Sequence, residues 1–147
     1  MRAASDRSRK AAKGRSRRKS APREIVIHAG IVVVRARLAA TPTADRLWAA
    51  LPLYSTVERW GQGAIHCAVP VETGLEPRAR DVVKAGDIAF WIEEGRVLIG
   101  FGPTPLSRGG EIRLPSPANI WATALDDVTA LAAIGGGEQI AILEADS

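Results

Sequence analysis

Gly86 to Pro105, GDIAFWIEEGRVLIGFGPTP, is the stretch whose reading decides the fold. Ile88, Phe90 and Ile92 fall on one side of an extended chain, and Ala89, Trp91 and Glu93 fall on the other. This period of two marks a half-buried strand. Glu94-Gly95 then makes a turn, because glycine accepts the positive φ that a short hairpin needs. The return strand sets Val97, Ile99 and Phe101 against Leu98 and Gly100. Gly102-Pro103-Thr104-Pro105 cannot extend the ladder, since proline has no N–H to donate.

Working toward the N-terminus, LYSTVERWGQGAIHCAVPV (residues 53–71) reads as strand, Gly61-Gln62-Gly63 turn, strand. Before it, TPTADRLWAALP predicts a short helix with Thr43 as N-cap, Asp45 near the positive dipole end and Pro52 at the stop. Its stripe of Leu47, Trp48 and Leu51 would cover one mouth of a sheet. EIVIH and IVVVRARL flank Ala29-Gly30 as a first hairpin, with Val32, Val34, Ala36 and Leu38 inward and Val33, Arg35 and Arg37 outward. Toward the C-terminus, residues 72–86 read as loop, with Val82 and Val83 tucked back underneath. SRGGEIRLPSP reads as a polar loop. NIWATAL is a strand setting Ile120, Ala122 and Ala124 against Trp121, Thr123 and Leu125. Asp126 is expected to cap a second helix, DDVTALAAIG, with Val128, Leu131 and Ile134 on one stripe and Gly135 as its stop. EQIAILEA is the last strand. About eight short strands and two short helices predict a mainly β protein, a small closed or nearly closed antiparallel barrel with a helix at each mouth.

The chain has 147 residues, 46% of them apolar, enough for a single packed domain. Its one cysteine, Cys67, excludes an internal disulfide and fits a reducing, cytoplasmic compartment. No apolar run reaches the roughly 18–20 residues that span a bilayer. The net charge of +4 hides a split: residues 1–23 hold ten Lys or Arg against Asp6 alone, leaving ten basic and fifteen acidic residues for 24–147. Residues 1–23 have nothing to bury and are expected to be a disordered basic tail. The functional reading of the tail is weak, nonspecific contact with nucleic acid or anionic lipid, and the plain reading is a solubilising extension. The domain at 24–147 is mildly acidic, and nothing in it predicts nucleic-acid binding.

Motifs for chemistry are sparse. His66 and Cys67 are adjacent on a strand and point to opposite faces, so with His28 they make no zinc set. No metal or cofactor is expected. Ser55, Ser107 and Ser116 have no sequence-visible base and no G-x-S-x-G elbow. Glu93-Glu94 and Asp126-Asp127 fall at a turn and a helix start, where acids belong for solvation and dipole reasons. Gly100-Phe101-Gly102 leads into Pro103, not into a helix N-terminus that would hold a phosphate. The best candidate is an aromatic-lined groove: Trp60, Trp91, Phe101 and Trp121, with Pro103, Thr104, Pro105 and Asn119 as walls and anchors and Arg59 and His66 at its side. Such a groove suits a proline-containing peptide or a small flat ligand. The competing reading is that the indoles fill the barrel and its mouth.

Taken in order, VERWGQGAIHCAVPV, GDIAFWIEEGRVLIGFGPTPLS and PSPANIWATALDD resemble a small prokaryotic cyclophilin-like family over Glu24 to Glu144. The resemblance rests on the combined G-D-[IV]-x-[FY]-W and F-G-x-T-P signatures. It implies a compact β-barrel with a helix at each mouth, related in fold to peptidyl-prolyl isomerases, in a family with no established activity. True cyclophilins carry an arginine in an F-H-R segment and a phenylalanine-methionine-glutamine-glycine-glycine run, and neither motif occurs here. Two functions follow as expectations. One is a non-enzymatic module binding a peptide or small molecule in the aromatic groove. The other is a peptidyl-prolyl isomerase with a non-standard site using Arg59 or Asn119 as the donor.

Overall fold

The computed structural model describes residues 22–146. The expected basic tail therefore lies outside the described residues, except for its last two. Of these, Arg23 accepts a hydrogen bond on its carbonyl from Leu38 N–H (2.9 Å), pairs with Asp45 (2.9 Å) and lies over the Trp48 ring.

The elements are β1 (Glu24–Ala29), β2 (Val32–Leu38), α1 (Pro42–Ala50), β3 (Leu53–Thr56), β4 (Glu58–Trp60), β5 (Ala64–Ala68), β6 (Arg80–Val83), β7 (Asp87–Trp91), β8 (Arg96–Gly100), β9 (Ile112–Ala124), a 3₁₀ helix (Val128–Ala133) and β10 (Gln139–Glu144). Nine strands form one antiparallel path in the order β3-β10-β1-β2-β9-β7-β8-β5-β4. Its two ends, β3 and β4, are consecutive in the chain with only Val57 between them, so the path nearly closes on itself as a barrel. Val57 fastens the junction: its N–H donates to Glu138 O and its carbonyl accepts from Gly137 N–H, both at 2.8 Å.

The inward residues are those that the alternation selects. Ile25, Ile27, Val34, Ala36, Ile65, Cys67, Ile88, Phe90, Val97 and Ile99 meet inside the barrel, with Leu47 from α1 and Leu131 from the 3₁₀ helix at the mouths. The central hairpin turns at Gly95, whose φ is +64°, as the Glu94-Gly95 reading predicts.

Four expectations need correction. First, β9 begins at Ile112, inside the stretch read as the polar loop SRGGEIRLPSP, and pairs there with β6, inside the stretch read as the loop 72–86. Ile112 and Leu114 alternate with Arg113, and with Val83 and Ala118 they cover Ala64, Ala89 and Leu98 on the outer side of the sheet, forming a second, smaller core. The strand count rises to ten because of β6 and the break at Val57. Second, Trp121 and Ala122 both enter the main core although they are adjacent. A bulge opposes Ile88 to Ala122 and Ala89 to Ile120, so Trp121 is the extra residue and its alternation is lost.

Third, the N-cap of α1 is Thr41, whose Oγ1 accepts from Ala44 N–H at 3.1 Å, with Pro42 at the first helical position where its fixed φ fits. Thr43 lies inside the first turn. Fourth, Asp127 and not Asp126 caps the second helix, accepting from Thr129 N–H at 2.9 Å, and that helix is a 3₁₀ segment of six residues. Asp126 instead accepts from the main-chain N–H of Arg35 (2.8 Å) and from its guanidinium.

The Gly61-Gln62-Gly63 turn and the Gly102–Pro105 exit turn out to be one packing unit. Gly63 O accepts from both Phe101 N–H (2.8 Å) and Gly102 N–H (3.1 Å). A Cβ on Gly63 would lie 2.1 Å from Pro103 O and 2.3 Å from Gly102 O, main-chain atoms that cannot rotate away. Gly63→Ala should destabilise the domain by about 2–3 kcal/mol as overpacking. A melting temperature lowered by roughly 10 °C is expected, whereas Gln62→Ala, one residue away and exposed, should leave it unchanged. An unchanged melting temperature for Gly63→Ala would show that the two loops do not hold each other.

Candidate functional site

The residues expected to line an aromatic groove are distributed over both cores. Trp121 is fully buried in the barrel interior, with its Nε1–H donating to Ala89 O at 3.3 Å, and Phe101 belongs to the same interior. Trp60 and Trp91 lie half-buried against the second core, on the opposite side of the sheet. The four rings therefore do not share one cleft. Packing claims two of them outright, and the others flank the β6–β9 layer.

The expected polar anchors are engaged in holding the fold. Asn119 is fully buried: its Nδ2 donates to Thr43 Oγ1 and to Gly74 O, both at 2.8 Å, and its Oδ1 accepts from Glu76 N–H at 2.9 Å. Glu76 in turn accepts from Thr43 N–H at 2.9 Å, and its Oε2 also bonds Thr43 Oγ1. Helix start, loop and β9 are thus tied in one satisfied network. Arg59 donates to Ala132 O (2.9 Å), Ile134 O (3.0 Å) and Gly61 O (3.3 Å), with its guanidinium over the Phe101 ring. Thr104 is buried, with Oγ1 bonded to Arg113 O and Ser107, and Pro103 and Pro105 press on Gly63 and Gly61.

His66 stands edge-on to Trp91 with ring centroids 6.0 Å apart. Arg96 donates to its Nδ1 at 3.2 Å, which leaves the proton of the neutral ring on Nε2. Burial first, and the Arg96 charge second, hold its pKa below the ordinary imidazole value. Cys67, on the other face, is buried, and burial pushes its thiol up to about 11. Among the described residues no three His, Cys, Asp or Glu side chains converge as a metal site would need.

The concave surface lies elsewhere. A cleft of about 870 Å³ opens between the extended segment Val69–Thr73 and the hairpin turn Ile92–Gly95, with Arg46 of α1 on its wall. A depression of about 330 Å³ continues it along α1 past Ala49 and Ala50. Another, of about 270 Å³, shares Ile92 and Glu93 with it and extends over Leu75, Ser116 and Pro117. The segment in this cleft is unusual in its main chain. Val69 N–H donates to Gly95 O at 3.0 Å, but among the described residues no protein group hydrogen-bonds to the N–H or C=O of Val71, Glu72 or Thr73. Among the described residues two buried polar side-chain atoms also have no partner, Ser116 Oγ under the smaller depression and Trp91 Nε1. Sequence reading passes over this site because Val71-Glu72-Thr73-Gly74 carries no chemical motif. The one available signal is an alternating stretch that leads into a glycine and not into a partner strand.

A separate cleft of about 430 Å³ lies at the start of α1 among Ala39, Pro42, Pro77 and Ile120. The main-chain N–H groups of that helix start are already taken, by Glu76 and by Thr41. No helix among the described residues is long and apolar enough to cross a membrane.

Two titrations follow. The unfolded chain takes up a proton on the imidazole near pH 6.5 while folded His66 resists it, so stability should fall as pH drops below about 6.5. His66→Gln should flatten the change in urea midpoint between pH 7 and pH 5, and an undiminished slope would remove the imidazole as its cause. Cys67 should react with a disulfide reagent at pH 8 only on unfolding, and stability should be lost as pH rises from about 9 toward 11, where the unfolded thiol ionises first.

Comparison with known proteins agrees with this architecture. The family model described as cyclophilin-like matches residues 23–143. The solution structure of the hypothetical protein AF2241 from Archaeoglobus fulgidus superposes with a TM-score of 0.73 at 28% identity, covering 84% of this chain and 95% of that one. No curated protein matches the sequence. With the matched region spanning the whole barrel, the chain belongs to the cyclophilin-like family.

Proposed function

We propose that this cyclophilin-like domain is a binding module that takes a peptide or small molecule in the cleft between Val69–Thr73 and Ile92–Gly95. The observation that carries the reading is the run of three residues, Val71 to Thr73, whose main-chain donors and acceptors have no partner among the described residues and which line a cleft of about 870 Å³. That volume is within the range of roughly 300–1,000 Å³ typical of ligand sites. An extended ligand would pair with those groups through main-chain hydrogen bonds. Leu75 (63% exposed), Ile92 and Pro117 offer apolar contact in the depression that adjoins one end.

Support for catalysis is weaker. An isomerase needs a donor free to reach the substrate amide, and the two candidates named from sequence are occupied: Arg59 by three carbonyls and Asn119 by three partners.

Two measurements test the reading. An array of random decapeptides probed with the full chain should retain it at a subset of spots, and Arg46→Trp, on the exposed α1 wall of the cleft, should lose them. Identical retention by the variant would remove the cleft as the site. In a protease-coupled proline-peptide assay the chain should not exceed the uncatalysed rate. Catalysis that disappears in Arg59→Ala while the melting curve stays cooperative would overturn the non-enzymatic reading.

A further inference from the structure

We infer that the cleft at the start of α1 binds a small organic carboxylate, seating its apolar body against Pro42 and Pro77 and its charge on Arg78. This is a second site, independent of the one proposed above. Its volume of about 430 Å³ lies low in the range of roughly 300–1,000 Å³ that holds small ligands. Ala39, Pro42, Pro77 and Ile120 make the apolar part of the lining, and the two prolines have no N–H to leave unsatisfied. Taking an apolar ring out of water against these side chains supplies affinity, and the few charged groups set its orientation.

The charged groups of the lining differ in what they have left to give. Glu76 is its acid, and that carboxylate already accepts from Thr43 N–H (2.9 Å) and Thr43 Oγ1 at the positive end of the helix dipole. The helix start is thus served from within and is not the anion site. Arg80 donates to Asp87 at 3.0 Å, which fixes its guanidinium and leaves its other N–H groups for a ligand. Arg78 is exposed and is in no ion pair among the described residues. The uncommitted charge of the cleft is therefore positive, and a guanidinium is a planar fork that matches a carboxylate.

The walls are also held in place before any ligand arrives. Asn119 ties down one of them, accepting from Glu76 N–H at 2.9 Å and donating to Thr43 Oγ1 at 2.8 Å, with both Asn119 and Thr43 fully buried. Trp121 ties down the other, its carbonyl accepting from Ala39 N–H at 2.9 Å. Ile120, which lines the cleft from β9, is the residue between these two anchors. A concave site whose walls need no rearrangement gives up little free energy to ordering when it binds.

The probes are naphthoate and its uncharged amide, each titrated into the full-length chain and followed by amide NMR. Naphthoate should shift the amides of residues 39–41, 78–80 and 120. It should bind about ten-fold more tightly than the amide, the order of one charge-assisted contact. That advantage should shrink in about 0.5 M salt. Arg78→Gln should bind both probes alike and melt as the parent does. Lys84→Gln, which removes an exposed cation outside the lining, should keep the full preference. Residues 1–21 are present in every variant, so attraction to that basic segment cancels between them. If the parent binds the two probes equally, or if the preference survives Arg78→Gln, the cleft does not select a carboxylate through Arg78 and the inference fails. It fails equally if neither probe shifts these amides.

Discussion

The barrel depends on a single eight-residue stretch, Leu53 to Trp60, that pairs in two directions. Its first half lies along β10, with Leu53 opposite Ile142, and its second half along β5, with Trp60 opposite Ala64. One run of chain thus supplies both ends of the strand path, and the sheet has to curl until those ends meet. Val57, where the ladders change over, has both main-chain groups bonded to the 137–138 turn and its side chain in the core. Without that exchange β3 and β4 would be two free edges, each exposing a row of unpaired donors and acceptors.

Closure gives the two faces of the sheet different tasks. The inward set fills the cylinder. The outward set would meet water, yet on β5, β7 and β8 it consists of Ala64, Ala89 and Leu98, which need cover. β9 supplies that cover because it is long: residues 119–124 pair with β7 and β2 inside the path, and 112–118 run on to pair with β6 over the outer face. Gly100 marks how closely the layer sits, since a Cβ there would lie 2.6 Å from the Ile112 side chain. The bulge at Trp121 lets the largest side chain in the interior enter at the bend of this strand.

Residues whose environment follows from period two are legible in the amino-acid order alone: the central hairpin, the β1–β2 hairpin, the inward valines and isoleucines, and the membership of both glycine-rich segments in tight turns. One of the two signatures that carry the family resemblance, F-G-x-T-P, proves to be a packing feature, Gly102–Pro105 against the Gly61-Gln62-Gly63 turn, and such features identify a fold more readily than a reaction. What is not legible depends on contacts distant in sequence. Ile112 and Leu114 look like loop residues because Pro115 and Pro117 follow them, and only the outer face of β5, β7 and β8 gives them something to cover. Asn119 and Arg59 look available as polar anchors, because a single sequence cannot show that Thr43, Gly74 and Glu76, or the carbonyls of residues 132 and 134, occupy them. The cleft escapes for the same reason: it joins a helix, a turn and an extended segment far apart in the chain.

The extended segment before Gly74 shows how a stretch outside the strand ladder can lie beside a sheet without inviting wrong partners. Pro70 removes a donor from it, and Glu72 places a charge on its exposed side, two devices that discourage pairing with another sheet. Both raise the cost of docking an apolar or acidic strand. Protection of this segment is thus a property of two residues, the missing donor of Pro70 and the charge of Glu72.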